Sequence, residues 1–304
     1  MWLALAFCGP VLWAASTHID KYLVERFFKE SGVGTLLIFT SLIGLVPMPF
    51  IAAFEPDVLR IGWPAIAVIT TSGLLYMGAM YFYLGALQQE EASVIAPLFQ
   101  ASPLFTYALA YVLLGERLTP VQLLGGALIV SSALLVSWRP NAGERSKLKL
   151  RMIALMLACA LALSLSSVIF KLFAIRDEFW TTTFWVFAGE AIFGAVLLAI
   201  PNYRRQFIHM FAKNPGPVIA INGANEIINL AGGLAARYAS LLGPVALVGA
   251  IGSTTSLFVF LFGVLLSIFF PVLGRETLSA RSLIQKGVAV ILIAVGVILI
   301  GGTR

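Results

Sequence analysis

Oily stretches interrupted by charges, prolines or polar clusters recur along the whole chain. A helix crossing the hydrocarbon of a bilayer needs about 20 mostly apolar residues. Ten stretches fit that length: 2–19, 35–54, 63–87, 93–114, 121–138, 150–172, 183–200, 218–238, 244–270 and 283–302. They are rich in Leu and Ala and do not alternate with a period of two, which argues against outer-membrane β-strands. The predicted fold class is an all-α membrane protein with ten transmembrane helices.

The most polar connector, 139–147, splits the ten stretches five and five. Sliding the second half back by 150 positions sets Lys171 on Lys21, Ser166 on Ser16, Ser167 on Thr17 and Gly194 on Gly44. Further along, Gly115-Glu116-Arg117-Leu118-Thr119 meets Gly274-Arg275-Glu276-Thr277-Leu278-Ser279, with the offset grown to 160. The predicted division is a first five-helix repeat over 1–140 and a second over 148–304. An odd number of spans per unit makes the second copy enter the membrane from the opposite side, so the repeat is inverted. Inverted repeats are a recurring design of secondary transporters, where one bundle rocks against the other around a midplane site.

The motif Ala92-Ser93-Val94-Ile95-Ala96-Pro97-Leu98, leading through Pro103-Leu104 to Leu114-Gly115-Glu116-Arg117-Leu118-Thr119 and Leu124-Gly125-Gly126-Ala127-Leu128-Ile129, resembles the EamA-type family of the drug/metabolite transporter superfamily. The resemblance covers essentially the whole chain and is clearer in the first half; around 269–276 the second copy is degenerate. It implies a ten-helix inverted-repeat fold, export or exchange of small metabolites such as amino acids, cytoplasmic termini, and a bacterial inner (plasma) membrane as the location. It does not fix the substrate.

Composition agrees. Of 304 residues, 60% are hydrophobic and 11% charged, against roughly 45–50% and 25% in soluble domains. That excludes a cytosolic enzyme, a disordered chain, a disulfide scaffold and a nucleic-acid-binding domain. The net charge of +6 is spread in short clusters between oily runs, as in loops that anchor topology. Cys8 and Cys159 lie in apolar runs, spaced for neither zinc nor a redox pair, and are expected to be core residues. No Asn-x-Ser/Thr acceptor occurs, and the first residues lack the basic start of a signal peptide, so they are expected to form the first span.

Polar groups inside the spans carry the functional reading. An acidic side chain at the bilayer centre costs about 2.5–3.5 kcal/mol on insertion scales, so it needs a partner or a task. Glu190 lies midway along the seventh stretch, and Glu226 lies in the eighth with Asn222, Asn225 and Asn229. At about 100° per residue, those four share an arc of roughly 100°, a stripe that cannot face lipid. It is expected to line a central cavity, the asparagines supplying donors and acceptors while Glu226 binds an amine or a proton. The bland alternative is helix–helix glue. Arg237 falls near the stripe's angular position, but eleven residues away it is about 16 Å along the axis and cannot neutralise Glu226.

Tyr76 and Trp185, with Tyr81, Tyr83 and Trp13, are candidate walls of the same cavity. Lys21 and Lys171 are read as snorkelling to the interface, with Asp20 and His18 interfacial beside Lys21. Pro97 and Pro103 are expected to kink the fourth helix, and Glu116 and Glu276 to cap or pair at helix ends.

The leading reading is a secondary active transporter for a small polar or zwitterionic metabolite, an amino acid or amine, working by alternating access. Glu226 and Glu190 are its candidate proton-coupling groups. A lipid-head-group flippase or an uncoupled channel on the same fold is the alternative. No His-Glu-x-x-His, Walker loop or Gly-x-Ser-x-Gly occurs, so an enzyme is not expected, and neither is a metal or other cofactor. The implied partners are a small-molecule substrate and the lipid bilayer; nothing requires more than a monomer. With the N terminus inside, basic residues concentrate outside, at 139–151, Arg204, Arg205 and Lys213, which inverts the usual cytoplasmic excess. Loop charge and family resemblance therefore point to opposite orientations.

Overall fold

A computed structural model describes residues 1–26, 33–87, 98, 101–137, 150–213, 215–269 and 280–302. Pro97, the 139–147 connector, Glu276 and Arg304 lie outside the described residues. Among the described residues the chain is all-helical, without strands. The first half contributes α1 (Trp2–Arg26), α2 (Val33–Leu42), α3 (Met48–Phe54), α4 (Trp63–Leu87), α5 (Ser102–Leu114) and α6 (Pro120–Ser137). The second contributes α7 (Leu150–Arg176), α8 (Phe179–Ala199), α9 (Pro201–Lys213), α10 (Pro215–Leu242), α11 (Val245–Gly252), α12 (Thr255–Phe269) and α13 (Ala280–Gly302).

Seven helical segments among the described residues are long and apolar enough to cross a membrane: Trp2–Leu23, Gly34–Phe54, Trp63–Ala86, Met152–Arg176, Phe179–Ala199, Val245–Phe269 and Ile284–Gly302. Two more apolar helices, Ser102–Leu114 and Pro120–Leu135, are shorter. The long α10, which carries three asparagines and Glu226, coincides with the eighth predicted stretch but is not among the seven. Length and composition thus support a multi-pass membrane protein with seven candidate spans among the described residues, which do not by themselves reach the ten expected.

Several predicted helices have different interiors. The stretch 35–54 is broken into α2, a 3-10 turn at Ile43–Leu45 and α3, because Pro47 and Pro49 cannot supply helical backbone donors. The stretch 244–270 is likewise divided between α11 and α12 at Ser253 and Thr254. Side-chain hydroxyls stabilise that break: Thr254 Oγ1 donates to the Ile251 carbonyl (2.7 Å) and Thr255 Oγ1 to that of Gly252 (2.7 Å). Such bonding is what lets an irregular backbone persist inside a bilayer protein. Pro103 does not kink α5: it sits in the first turn, where its missing N–H has no intrahelical partner to lose.

The segment after α8, read from sequence as a basic loop, is the amphipathic helix α9. Tyr203, Phe207 and Met210 turn inward while Arg204, Arg205 and His209 are exposed, the spacing of a one-sided apolar stripe. Tyr203 accepts no easy replacement of its neighbour: a Cβ on Gly34 would meet its ring at 2.5 Å.

Helices of the two halves pack on one another, α1 against α10, α4 against α7 and α8, and α6 against α13. Small residues let backbones approach, as is usual where lipid provides no hydrophobic drive for association. A Cβ on Gly73 would lie 2.2 Å from the Val186 carbonyl oxygen, and one on Gly189 2.0 Å from that of Thr70, so α4 and α8 touch backbone to backbone. The α6–α13 crossing is reciprocal, Gly125 and Gly296 each facing the other's carbonyl at 2.7 Å. Cys159 is buried beside Ala79 and Met156, whereas Cys8 is exposed on the outside of α1 and is not a core residue.

Candidate functional site

The stripe on α10 faces protein. Asn222, Asn225 and Glu226 are buried, and Asn229 is partly buried beside Glu226. Thr40 of α2 donates its hydroxyl to Glu226 Oε1 at 2.7 Å, and Asn225 Nδ2 donates to Asp20 Oδ1 of α1 at 2.7 Å. The cluster therefore joins α1 and α2 from the first half to α10 from the second. Four of its buried polar atoms have no hydrogen-bond partner among the described residues: both amide atoms of Asn222, Asn225 Oδ1 and Glu226 Oε2. A buried polar atom left without a bond costs about 1–3 kcal/mol. Mere glue between helices would pair these atoms with each other or with the neighbouring helices.

The second intramembrane carboxylate is paired. Arg237 Nη2, near the far end of α10, donates to Glu190 Oε1 of α8 at 2.7 Å. Its guanidinium also lies 5.6 Å from the ring centre of Phe170 and 5.3 Å from that of Phe187, within cation–π range. The separation along α10 that keeps Arg237 from Glu226 is what brings it level with Glu190. Tyr76 of α4 is within electrostatic reach of Glu190, Arg237 and Glu226, so the paired carboxylate and the orphaned one share a neighbour.

Other expected site residues are held differently. The Trp185 indole N–H donates to the Val58 carbonyl at 2.8 Å, fastening α8 to the 3-10 turn before α4. Lys171 does not snorkel. It is buried, forms a 2.5 Å ion pair with Glu116 and donates to the Gly243 carbonyl at 2.6 Å. Glu116 Oε2 in turn accepts the Val245 N–H at 3.1 Å. One ion pair thus ties the end of α5 to α7 and to the α10–α11 junction, which agrees with a pairing role for Glu116. Lys21, its counterpart at the 150-residue offset, is exposed. His18 is partly buried and its Nε2–H donates to the Val259 carbonyl at 2.8 Å, joining α1 to α12. Among the described residues no group of three or more His, Cys, Asp or Glu could hold a metal ion.

Sequence reasoning did not find Thr40, Arg237 as the partner of Glu190, or the role of Asp20. A single threonine in Phe39-Thr40-Ser41 carries no signal of its own, and Asp20 looks interfacial until α10 is laid beside it.

Fold and buried charge define a multi-pass integral membrane protein. Residues 1–138 match the model of the EamA-like transporter family. The match covers 138 of the 304 residues, so it is a likeness of the first half of the chain to that family. No curated protein matches the sequence. A solved crystal structure of a protein matches with a TM-score of 0.64 at 20% identity, covering 97% of this chain and 94% of that one; at that identity the likeness is one of fold.

Proposed function

We propose that the protein is a secondary active transporter that moves a small polar or zwitterionic metabolite, an amino acid or an amine, across the membrane by alternating access. The carrying observation is the set of buried, unpartnered polar atoms on Asn222, Asn225 and Glu226, which gather where α1 and α2 meet α10. A cargo with its own donors, above all an ammonium group, would satisfy those acceptors while the Asn222 amide donates to a cargo oxygen. Glu226 and Glu190 are the candidate proton carriers, and Tyr76 lies within electrostatic reach of both.

A ten-span inverted repeat is the architecture that suits this reading. The packing among the described helices supports it with a mirrored pattern: α1 lies on α10 as α7 lies on α4, and α1 lies on α12 as α7 lies on α5. A bacterial inner membrane and net export are part of the same proposal, on family grounds alone.

The test is a thermal-shift screen in detergent followed by uptake in liposomes. Amino acids or amines that bind the native form should raise its apparent stability. Their effect should vanish in Asn222→Ala and Glu226→Gln. Hits indifferent to both substitutions would move the site elsewhere, and movement of labelled lipid in place of solute would favour a flippase.

A further inference from the structure

The 150-residue offset relates more than the helix ends. It sets Glu226 on Tyr76, Glu190 on Thr40, Gly223 on Gly73 and Val186 on Leu36. The hydrogen-bonded pair Thr40–Glu226, on α2 and α10, is thus the counterpart of Glu190 and Tyr76, on α8 and α4. The two pairs are not equally closed. Gly73 is pressed to within 2.2 Å, at its would-be Cβ, of the Val186 carbonyl, and the Glu190 N–H lies at 3.0 Å. Gly223 has no atom within 4 Å of the same position, on a helix whose neighbouring residues Asn222 and Glu226 are buried. A tight crossing on one side therefore faces a loose one on the other.

From this asymmetry we infer that Gly223 is the seat on which α2 closes when the carrier turns to its other side, its Cα approaching the Leu36 carbonyl as Gly73 now approaches that of Val186. The inference rests on the transport reading and adds the residue that permits the second state. Open space alone does not mark the position, since Gly233 on the same helix is equally open; what marks Gly223 is that its counterpart at the 150-residue offset, Gly73, is a closed glycine, whereas that of Gly233 is Tyr83. The mirror is incomplete. Phe39 stands where Gly189 does, and its ring now lies on Phe207 at 5.1 Å. The α2–α10 crossing consequently closes on one glycine where α4–α8 closes on two, and less tightly.

The experiment has two arms, both in liposomes and in a Cys8→Ser/Cys159→Ala background. In the first, Leu36→Cys and Gly223→Cys are combined and oxidised with copper phenanthroline. A disulfide holds its Cβ atoms about 3.8 Å apart, closer than any atom of α2 now comes to that position, so cross-linking reports the closed approach. In the second, uptake of a labelled amino-acid mixture is measured for the parent, for Gly223→Leu, and for Gly233→Leu, a position on the same helix that is equally open.

The inference expects a disulfide, and uptake slowed roughly tenfold or more in Gly223→Leu only, as when about 1.4 kcal/mol is set against the second state. A Cβ at either position meets nothing within 4 Å in the present state, and the thermal midpoint of each variant in detergent confirms that it folds before uptake is compared. A missing disulfide, or parental uptake by Gly223→Leu, overturns the seat while the transport reading stands. A parent that moves none of the mixture although the disulfide forms removes the transport reading and leaves the closure.

Discussion

Thr40 and Glu226, 186 residues apart in sequence, meet in a 2.7 Å hydrogen bond between α2 and α10. The bond satisfies one oxygen of a buried carboxyl whose other oxygen has no hydrogen-bond partner among the described residues. Thr40→Val keeps the shape and removes the donor. It should lower stability by about 1–3 kcal/mol, read as a lower thermal midpoint in detergent, and a ligand that bonds Glu226 should restore part of the loss. An unchanged midpoint would mean the contact contributes nothing.

Arg237 and Glu190 form the other polar link within the bundle. Removing one member of a buried pair strands the other and typically costs about 3–5 kcal/mol, while replacing both with apolar groups is far milder. Arg237→Met and Glu190→Leu should each be strongly destabilising, and the double variant should recover most of the loss. Additive losses in this double-mutant cycle would show that the two side chains do not depend on each other.

Gly125 and Gly296 make the α6–α13 crossing. Alanine at either position places a Cβ 2.7 Å from a backbone oxygen that cannot swing aside, and should cost about 1–3 kcal/mol. Gly85→Ala, with nothing within 4 Å of the new atom, should be neutral or slightly stabilising, because Ala is the better helix former. Equal midpoints for the three variants would contradict the close crossing.

Tyr203 on α9 shares a 2.6 Å hydrogen bond with Tyr81, which, with burial, holds the Tyr203 phenol above its usual pKa of 10.0. A group whose pKa is raised on folding contributes stability below its unfolded value and loses it as pH climbs through the native one. Stability should therefore be level up to about pH 10 and then fall. Tyr203→Phe should begin lower and fall less steeply, as followed by unfolding midpoints across that range.

Much of the architecture is legible in the sequence because apolar run length is a direct response to bilayer thickness. Seven long apolar segments stand out among the described residues, two of them divided, near Pro47 and at Ser253. The amphipathic α9 escaped notice because Arg204 and Arg205 dominate a short segment whose inward residues are only Tyr203, Phe207 and Met210. Asn222, Asn225 and Glu226 were recognisable as a buried stripe, since their angular spacing alone denies them a lipid face. Their partners were not, because Asp20 and Thr40 approach from helices remote in the chain. Lys171 shows the same limit: a lysine near a helix end reads as snorkelling until Glu116 is brought against it. Its burial, and that of the Arg237 pair, removes both cations from any account of topology by loop charge.

The aromatic cradle around Arg237 has a consequence for how its ion pair can be used. Because the guanidinium rests on the Phe170 and Phe187 faces as well as on a carboxylate, it keeps favourable company when Glu190 engages something else. On the transport reading proposed above, the acidic member would be lent to a passing ammonium or proton and taken back while the basic member stays parked on its rings.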